Sequence, residues 1–162
     1  MSIGALEKAI GGARKSKKKS IILTKQEALT QSLELVENSA ICMLGTNGGA
    51  GFPNIKALMN LKHEGLKRFW LSTNTSSQRV KQLRRDNRAC LYYVNDKSFK
   101  GLMLMGIVEI LQDIESRKML WAEGAEVYYP LGLEDPEYSV LRFTAEQGNY
   151  HHALQDMDFE IE

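Results

Sequence analysis

A cluster of small hydroxyl residues beside an arginine is the first feature of this sequence that could do chemistry. Ser72 and Thr73 end an apolar run in LSTNTSSQRVKQLRR, more hydroxyl residues follow, and Arg79 falls in the first turn of a basic helical stretch. Thr75 to Ser77 offer hydroxyls and free backbone amides. Free amides, the positive end of the helix dipole and a guanidinium all favour a bound anion such as phosphate. The stretch therefore suggests an anion site, although Ser76 or Ser77 acting as a simple N-cap is the simpler explanation of this segment alone.

A lysine inside an apolar strand supports the hypothesis of an anion site. Lys56 interrupts the otherwise apolar segment PNIKALMNLK, so its ammonium has to reach the surface or meet an anion near the edge of a sheet. One anion could satisfy both Lys56 and Arg79.

Strand patterns around these residues predict a mainly β fold of the α+β class. AICMLGT, FPNIKALMNLK and LKRFWLS are separated by the turns NGGAG and HEG, which is typical of an antiparallel meander. RACLYYV, GLMLMGIVEILQ, SVLRFTA and QDMDFEIE predict further strands, the last with a dry face and an acidic face. No regular alternation of strands and helices appears, so we expect an antiparallel split β-barrel of six or so strands with flanking helices.

Three helices are expected around this barrel. Thr24 and Glu27 fit a capping box, which predicts a helix that runs to about Asn38. Its buried face is predicted to carry Leu29, Leu33 and Val36. Residues 77–87 predict a second helix with Val80 and Leu83 facing inward, and IESRKMLWAE predicts the third.

Length and composition indicate one domain. The chain has 162 residues, of which 43% are hydrophobic, so a single core is expected over residues 21–162, after a basic tail at residues 1–20. The net charge of +1 excludes a strongly basic overall field. The tail segment ARKSKKKS and the arginines near Arg79 would suit nucleic acid, but no aromatic residues are interleaved with them, so a solvated tail is the better interpretation.

The remaining sequence features point to an intracellular protein without a metal. Cys42 and Cys90 lie in strand-like runs without metal-ligand spacing, and we expect both to be reduced core residues. Adjacent His151 and His152 would point to opposite faces of a strand, which does not favour a metal site. No apolar segment is long enough for secretion or membrane insertion, so a cytoplasmic location is expected.

The lysine-bearing strand followed by the hydroxyl and arginine cluster resembles a known family. Together with MLMGIVEIL and YYPLGLEDPEYSVLRF, the segments GFPNIKALM and FWLSTNTSSQRVKQLRRDNRACLYY resemble the FMN-binding split barrel of the pyridoxamine 5'-phosphate oxidase-like superfamily. The closer resemblance is to its short members, the general stress proteins and related flavoproteins. It extends from about Ala40 to Tyr150.

This resemblance implies a set of cofactor-binding residues for FMN. Lys56 would be a phosphate ligand, and Ser77, Gln78 and Arg79 would match the run that grips the phosphate, with Gln78 departing from the basic residue common there. The remaining expected contacts are Ala57, Leu58 and Met59 along the isoalloxazine, Ser72 and Thr73 near the ring and ribityl chain, and Lys100. Lys100 and Gly101 fall where the true oxidases supply a glutamine to the flavin, so the oxidase reaction itself is not implied.

The expected function is therefore that of an FMN-binding flavoprotein, an oxidoreductase acting on an unknown small molecule or electron donor. The alternative is a non-catalytic protein that binds flavin or haem as a sensor or store in the stress response. A homodimer is also expected, because GLMLMGIVEIL is apolar at nearly every position and both faces of that strand need cover. The resemblance implies the same, with flavin sites at the subunit interface.

Overall fold

The computed structural model describes residues 23–49 and 51–162, and most of these residues lie in or beside one curled antiparallel sheet. The predicted basic tail at residues 1–20 lies outside the described residues. In the described ranges the helices are α1 (Lys25–Glu37), α2 (Gln78–Arg85) and α3 (Ile114–Leu120), with short 3-10 turns at Ala125–Val127 and Gly132–Glu134. The strands are β1 (Ile41–Asn47), β2 (Pro53–Met59), β3 (Lys62–Glu64), β4 (Arg68–Asn74), β5 (Arg88–Asn95), β6 (Lys100–Leu111), β7 (Tyr138–His152) and β8 (Gln155–Glu160).

The sheet curls until two strands that are far apart in its order face each other. The hydrogen-bonded order is β2-β1-β5-β6-β7-β4-β3, and β8 pairs with β7. Four strands therefore separate β2 from β4, yet residues of both line one cavity. This arrangement is a split barrel, and the predicted fold class is confirmed.

Aromatic and aliphatic side chains fill the interior of the barrel. Phe69 is fully buried and its ring centroid lies 6.0 Å from those of both Tyr93 and Phe143. The α1 helix packs against this core, and the Tyr150 hydroxyl donates to Gln31 Oε1 at 2.7 Å. Burial of this cluster is the main stabilising term available to a domain of this size.

A β-bulge in β6 bends the longest strand pair. The register between β6 and β7 shifts between Met105 and Gly106. A Cβ at Gly106 would overlap the Thr144 carbonyl, so the close approach of the two backbones requires glycine there.

Three helices form in the three predicted segments, but the buried face of the first differs in part from the prediction. The Thr24 and Glu27 capping box is present, and Val80 and Leu83 are buried on α2. The buried face of α1 is formed by Ala28, Ser32, Leu35 and Val36, so the prediction is confirmed for Val36, whereas Leu29 and Leu33 are only half-buried.

The strand count and some strand boundaries differ from the predictions. Eight strands form where about six were expected. The segment KHE, assigned in part to a turn, pairs with β4 as the short strand β3, and β7 continues seven residues beyond the predicted SVLRFTA up to His152. The predicted dry and acidic faces of β8 are confirmed, since Phe159 is buried while Asp158 and Glu160 are exposed.

Both cysteines are free, in agreement with the prediction of reduced thiols. Cys42 is buried, and desolvation by that burial raises the pKa of its thiol to about 11. Cys90 is only half-buried, so the predicted core position is wrong for this residue. No helix within the described residues is both long and apolar enough to cross a membrane.

Candidate anion-binding cavity

A cavity of about 350 Å³ opens where β2, β4 and the start of α2 meet. It is lined by Ala57, Leu58, Met59, Ser72, Thr73, Asn74, Ser77, Arg79 and Tyr129. Small-molecule sites typically span roughly 300–1,000 Å³, so this cavity is large enough to hold part of a cofactor-sized ligand. The ligand would extend from it over the neighbouring surface.

Arg79 provides the positive charge of the cavity. Its side chain is half-buried, and desolvation by this burial lowers the pKa of the guanidinium from its ordinary value, while the nearby Tyr129 opposes that shift. Arginine stays protonated in proteins, so the cation persists. None of the ion pairs in the described part of the chain includes Arg79. A half-buried guanidinium without a carboxylate partner is a favourable place for an anion.

The start of α2 adds hydrogen-bond donors beside Arg79. Ser77 is the N-cap, and its hydroxyl accepts from the Val80 amide at 3.4 Å. The amides of Gln78 and Arg79 belong to the first turn, where no intrahelical acceptor is available. Hydroxyls, first-turn amides and a guanidinium together form a donor set that suits a phosphate ester.

The hydroxyl cluster before the helix divides into two roles. Ser72, Thr73 and Ser77 face the cavity, whereas Thr75 and Ser76 fasten the loop that follows α3. The Thr75 hydroxyl lies 2.7 Å from the Pro136 carbonyl and 2.6 Å from Ser139 Oγ, and Ser76 donates through both its amide and its hydroxyl to Glu137 Oε2.

The hydrogen bonds of residues 75–77 correct one expectation from the sequence. The amides of residues 75–77 were expected to be free for an anion, but all three are used within the protein. Thr75 N donates to the Glu137 carbonyl at 2.8 Å, Ser76 N to the Glu137 carboxylate at 3.2 Å, and Ser77 N to the Asn74 carbonyl at 3.1 Å. The donors left for a ligand are therefore side chains and the amides of the first helical turn.

Tyr129 lines the cavity close to Arg79, and sequence reasoning missed it. Only 8% of its surface is exposed, against 79% for its neighbour Tyr128. The Tyr129 hydroxyl donates to Asn74 Oδ1 at 3.0 Å, and its ring centroid lies 4.6 Å from that of Tyr138. The YYP segment carried no periodic signal that could tell which tyrosine turns inward.

Seven of the ten residues predicted to contact a cofactor line this one cavity: Ala57, Leu58, Met59, Ser72, Thr73, Ser77 and Arg79. Lys56, Gln78 and Lys100 are not part of the lining. Gln78 is exposed in the first turn of α2. Lys56 is exposed on β2 and shares a strand face with Leu58, two residues on, which does line the cavity.

Lys100 lies in a different region of the protein. It begins β6, opposite His152 in the register, and lines a second cavity with Glu34 and Asp96. Gly101 beside it lies tightly under the ring of His151 and the hydroxyl of Tyr92. Lys100 and Arg79 therefore line different cavities.

Replacing Thr75 with valine tests whether the hydrogen bonds of its hydroxyl hold the loop that follows α3 in place. Ser139 is fully buried, and its hydroxyl loses its hydrogen-bond partner in this variant, so we expect the free energy of unfolding to fall by about 1–3 kcal/mol. Urea denaturation measures the change. Thr30→Val, on the exposed face of α1, is the matched control and should change stability by less than about 0.5 kcal/mol. Equal stabilities for the two variants would contradict the role of Thr75 in holding the loop that follows α3.

Fold and cavity together define a split-barrel protein with a cavity that is lined by hydroxyl groups and Arg79 and lies beside the edge strand β2. A family model described as pyridoxamine 5'-phosphate oxidase like matches residues 27–161. The chain belongs to this family.

Comparison with solved structures supports the same family assignment. The chain is 56% identical to a Clostridium acetobutylicum protein described as related to general stress protein 26 of Bacillus subtilis, of the pyridoxinephosphate oxidase family. That match covers 85% of this chain and 97% of the other, with a TM-score of 0.78. A general stress protein 26 from Bacillus anthracis is 14% identical over 82% of this chain and 98% of its own, with a TM-score of 0.68.

A further similarity is to a structure described as a heme binding protein from Mycobacterium smegmatis, with 15% identity and a TM-score of 0.68. It covers 85% of this chain and 60% of the other. At these identities the last two likenesses show the fold alone. A search of the curated proteins gives no match to the chain.

Proposed function

We propose that the protein binds FMN in the Arg79 cavity and acts as an FMN-dependent oxidoreductase on a small molecule. The observation that carries this proposal is the half-buried Arg79, which has no carboxylate partner in the described part of the chain and lies among the hydroxyls of Ser72, Thr73 and Ser77. Bound FMN would supply hydride or electron transfer at its ring, while the protein supplies position and electrostatics.

The phosphate of the cofactor would be held by Arg79. The guanidinium offers two parallel donors, and the first-turn amides of α2 and the Ser77 hydroxyl add weaker ones. Lys56 extends from the neighbouring strand face and would add a second positive charge from solvent. Because Arg79 is the less exposed of the two, it carries the larger share of the affinity.

The flavin ring would lie along the edge of β2. This strand ends the sheet order and pairs only with β1 among the described strands, so the amides and carbonyls on its other edge lack a strand partner. Residues 57–59 of this edge line the cavity. Such an edge can hydrogen-bond the polar rim of a planar heterocycle through the backbone, whatever the side chains are.

The lining does not favour haem. It contains no histidine or cysteine, the hydroxyl of Tyr129 is already hydrogen-bonded to Asn74, and Met59 is largely exposed. The positive charge of Arg79 suits a phosphate.

The same proposal includes a homodimer that covers the open side of the site. Large apolar side chains are exposed on β1, β2 and β5, namely Ile41, Met43, Ile55, Met59 and Val94. Met103, Met105 and Ile107 on one face of β6 are only half-buried. A second copy would cover these groups and bring its own residues over the exposed part of the flavin.

FMN titration of the apoprotein tests the cofactor proposal. Quenching of flavin fluorescence that saturates at one FMN per chain is the expected result, and absence of saturable binding would overturn it. Anaerobic addition of a reduced nicotinamide then distinguishes an oxidoreductase, whose flavin band is bleached, from a store, whose band persists.

The shared site predicts that subunit dissociation releases flavin. Light scattering at micromolar concentration should give twice the 18.3 kDa chain mass, and dilution that yields monomer should raise free flavin fluorescence in parallel. A monomer that retains its FMN would contradict the shared site. A stable dimer that never binds flavin would support the proposed interface and contradict the proposed cofactor.

A further inference from the structure

Tyr129 is held rigidly at the Arg79 end of the cavity. The hydrogen bond to Asn74 Oδ1 fixes its hydroxyl, and its ring packs on Tyr138, whose ring centroid in turn lies 5.4 Å from that of Trp121. Tyr129 and Arg79 are close enough for each to shift the pKa of the other. A phosphate on Arg79 would therefore have the Tyr129 ring beside it.

The loop that carries Tyr129 is fastened at several points, so it cannot move aside cheaply. Besides the Thr75 and Ser76 contacts, Arg117 is buried and donates from Nη1 to the Leu133 carbonyl at 2.8 Å. The buried Asp135 carboxylate accepts from the amides of Leu131 and Glu137 at 3.2 and 2.9 Å. Opening the loop would break several of these bonds together.

Negative charge lies near the tyrosine. Burial is the largest cause that raises the pKa of Tyr129, and the carboxylates of Asp135 and Glu137 raise it further. A second phosphate placed beside Tyr129 would thus meet an aromatic ring and the negative charge of two nearby carboxylates.

We propose that Tyr129 restricts the site to flavins that end in a single phosphate and excludes dinucleotides. This inference rests on the proposed function and adds to it the residue that selects between FMN and FAD. The ring acts as a steric stop, while the carboxylates close to it repel the second phosphate of FAD.

Paired titrations with FMN and FAD test this restriction. The wild-type apoprotein should bind FMN more tightly than FAD, and Tyr129→Ala should reduce the ratio of the two dissociation constants by about tenfold or more. Tyr129→Phe retains the ring and should keep most of the wild-type ratio. Tyr128→Ala, at the exposed neighbouring position, is the matched control and should leave the ratio unchanged.

Folding of the variants is checked by thermal unfolding without flavin, because Tyr129 packs on Tyr138. If Tyr129→Ala does not fold, Tyr129→Leu is used in its place, because leucine keeps apolar contact with Tyr138 but is smaller than the tyrosine ring. An unchanged ratio in the folded variant, or equal wild-type affinities for FMN and FAD, would overturn this inference and leave FMN binding in place. If the wild type binds neither flavin, the proposed function fails as well.

Discussion

Replacing Arg79 with alanine is expected to weaken FMN binding by about one to two decades. The variant removes a charge-assisted contact worth about 1.5–3 kcal/mol, and one decade of affinity corresponds to about 1.4 kcal/mol. Arg79 is half-buried and has no ion-pair partner among the described residues, so the folded protein without ligand loses little. Fluorescence titration of the apoprotein at fixed ionic strength measures the change.

The matched control for this experiment is Arg84→Ala. Arg84 lies on the same helix and carries the same charge, but it is exposed and does not line the cavity. Its loss should affect binding only through screened long-range electrostatics, by a factor of about two or less. If both variants bind FMN as the wild type does, the assignment of Arg79 as the phosphate ligand is wrong.

Phe69→Ala is expected to lower the free energy of unfolding by about 3–5 kcal/mol. Phe69 is fully buried on β4, and its ring contacts those of Tyr93 and Phe143, so truncation removes apolar burial and leaves a cavity between β4, β5 and β7. This loss is a large part of the total stability of a single domain. Denaturation in urea at one fixed protein concentration measures it.

Phe52→Ala provides the comparison for the core variant. Phe52 lies just before β2 with 78% of its surface exposed. Its truncation should change the free energy of unfolding by less than about 0.5 kcal/mol. Similar losses for Phe52→Ala and Phe69→Ala would contradict the position of the core inside the curled sheet.

Features that depend on short-range pattern were predictable from the sequence. The capping box at Thr24 and Glu27, the inward Val80 and Leu83, and the alternation along β8 follow from periods of 3.6 and 2 residues that each segment carries by itself. The strand β3 was missed because three residues are too few to show alternation. The buried face of α1 includes Ala28 and Ser32, which a search for large apolar residues overlooks.

Features that depend on long-range contacts were not predictable in the same way. Ser72, Thr73 and Arg79 could be grouped because a strand end and a helix start are adjacent in the chain, and the resemblance to a family added the β2 residues. Tyr129 enters the cavity only because the loop after α3 folds back onto Thr75 and Ser76, about 50 to 60 residues earlier. No local pattern encodes that return, and for the same reason the amides of Thr75 and Ser76 were wrongly expected to be free.

The absorbance spectrum of the freshly purified protein, followed by chromatography of the chromophore released on denaturation, tests the central claim most directly. We expect oxidised flavin bands and release of FMN in an amount that approaches one per chain. A spectrum with a haem Soret band would contradict FMN binding. So would a colourless protein that stays colourless after incubation with excess FMN and removal of the unbound cofactor.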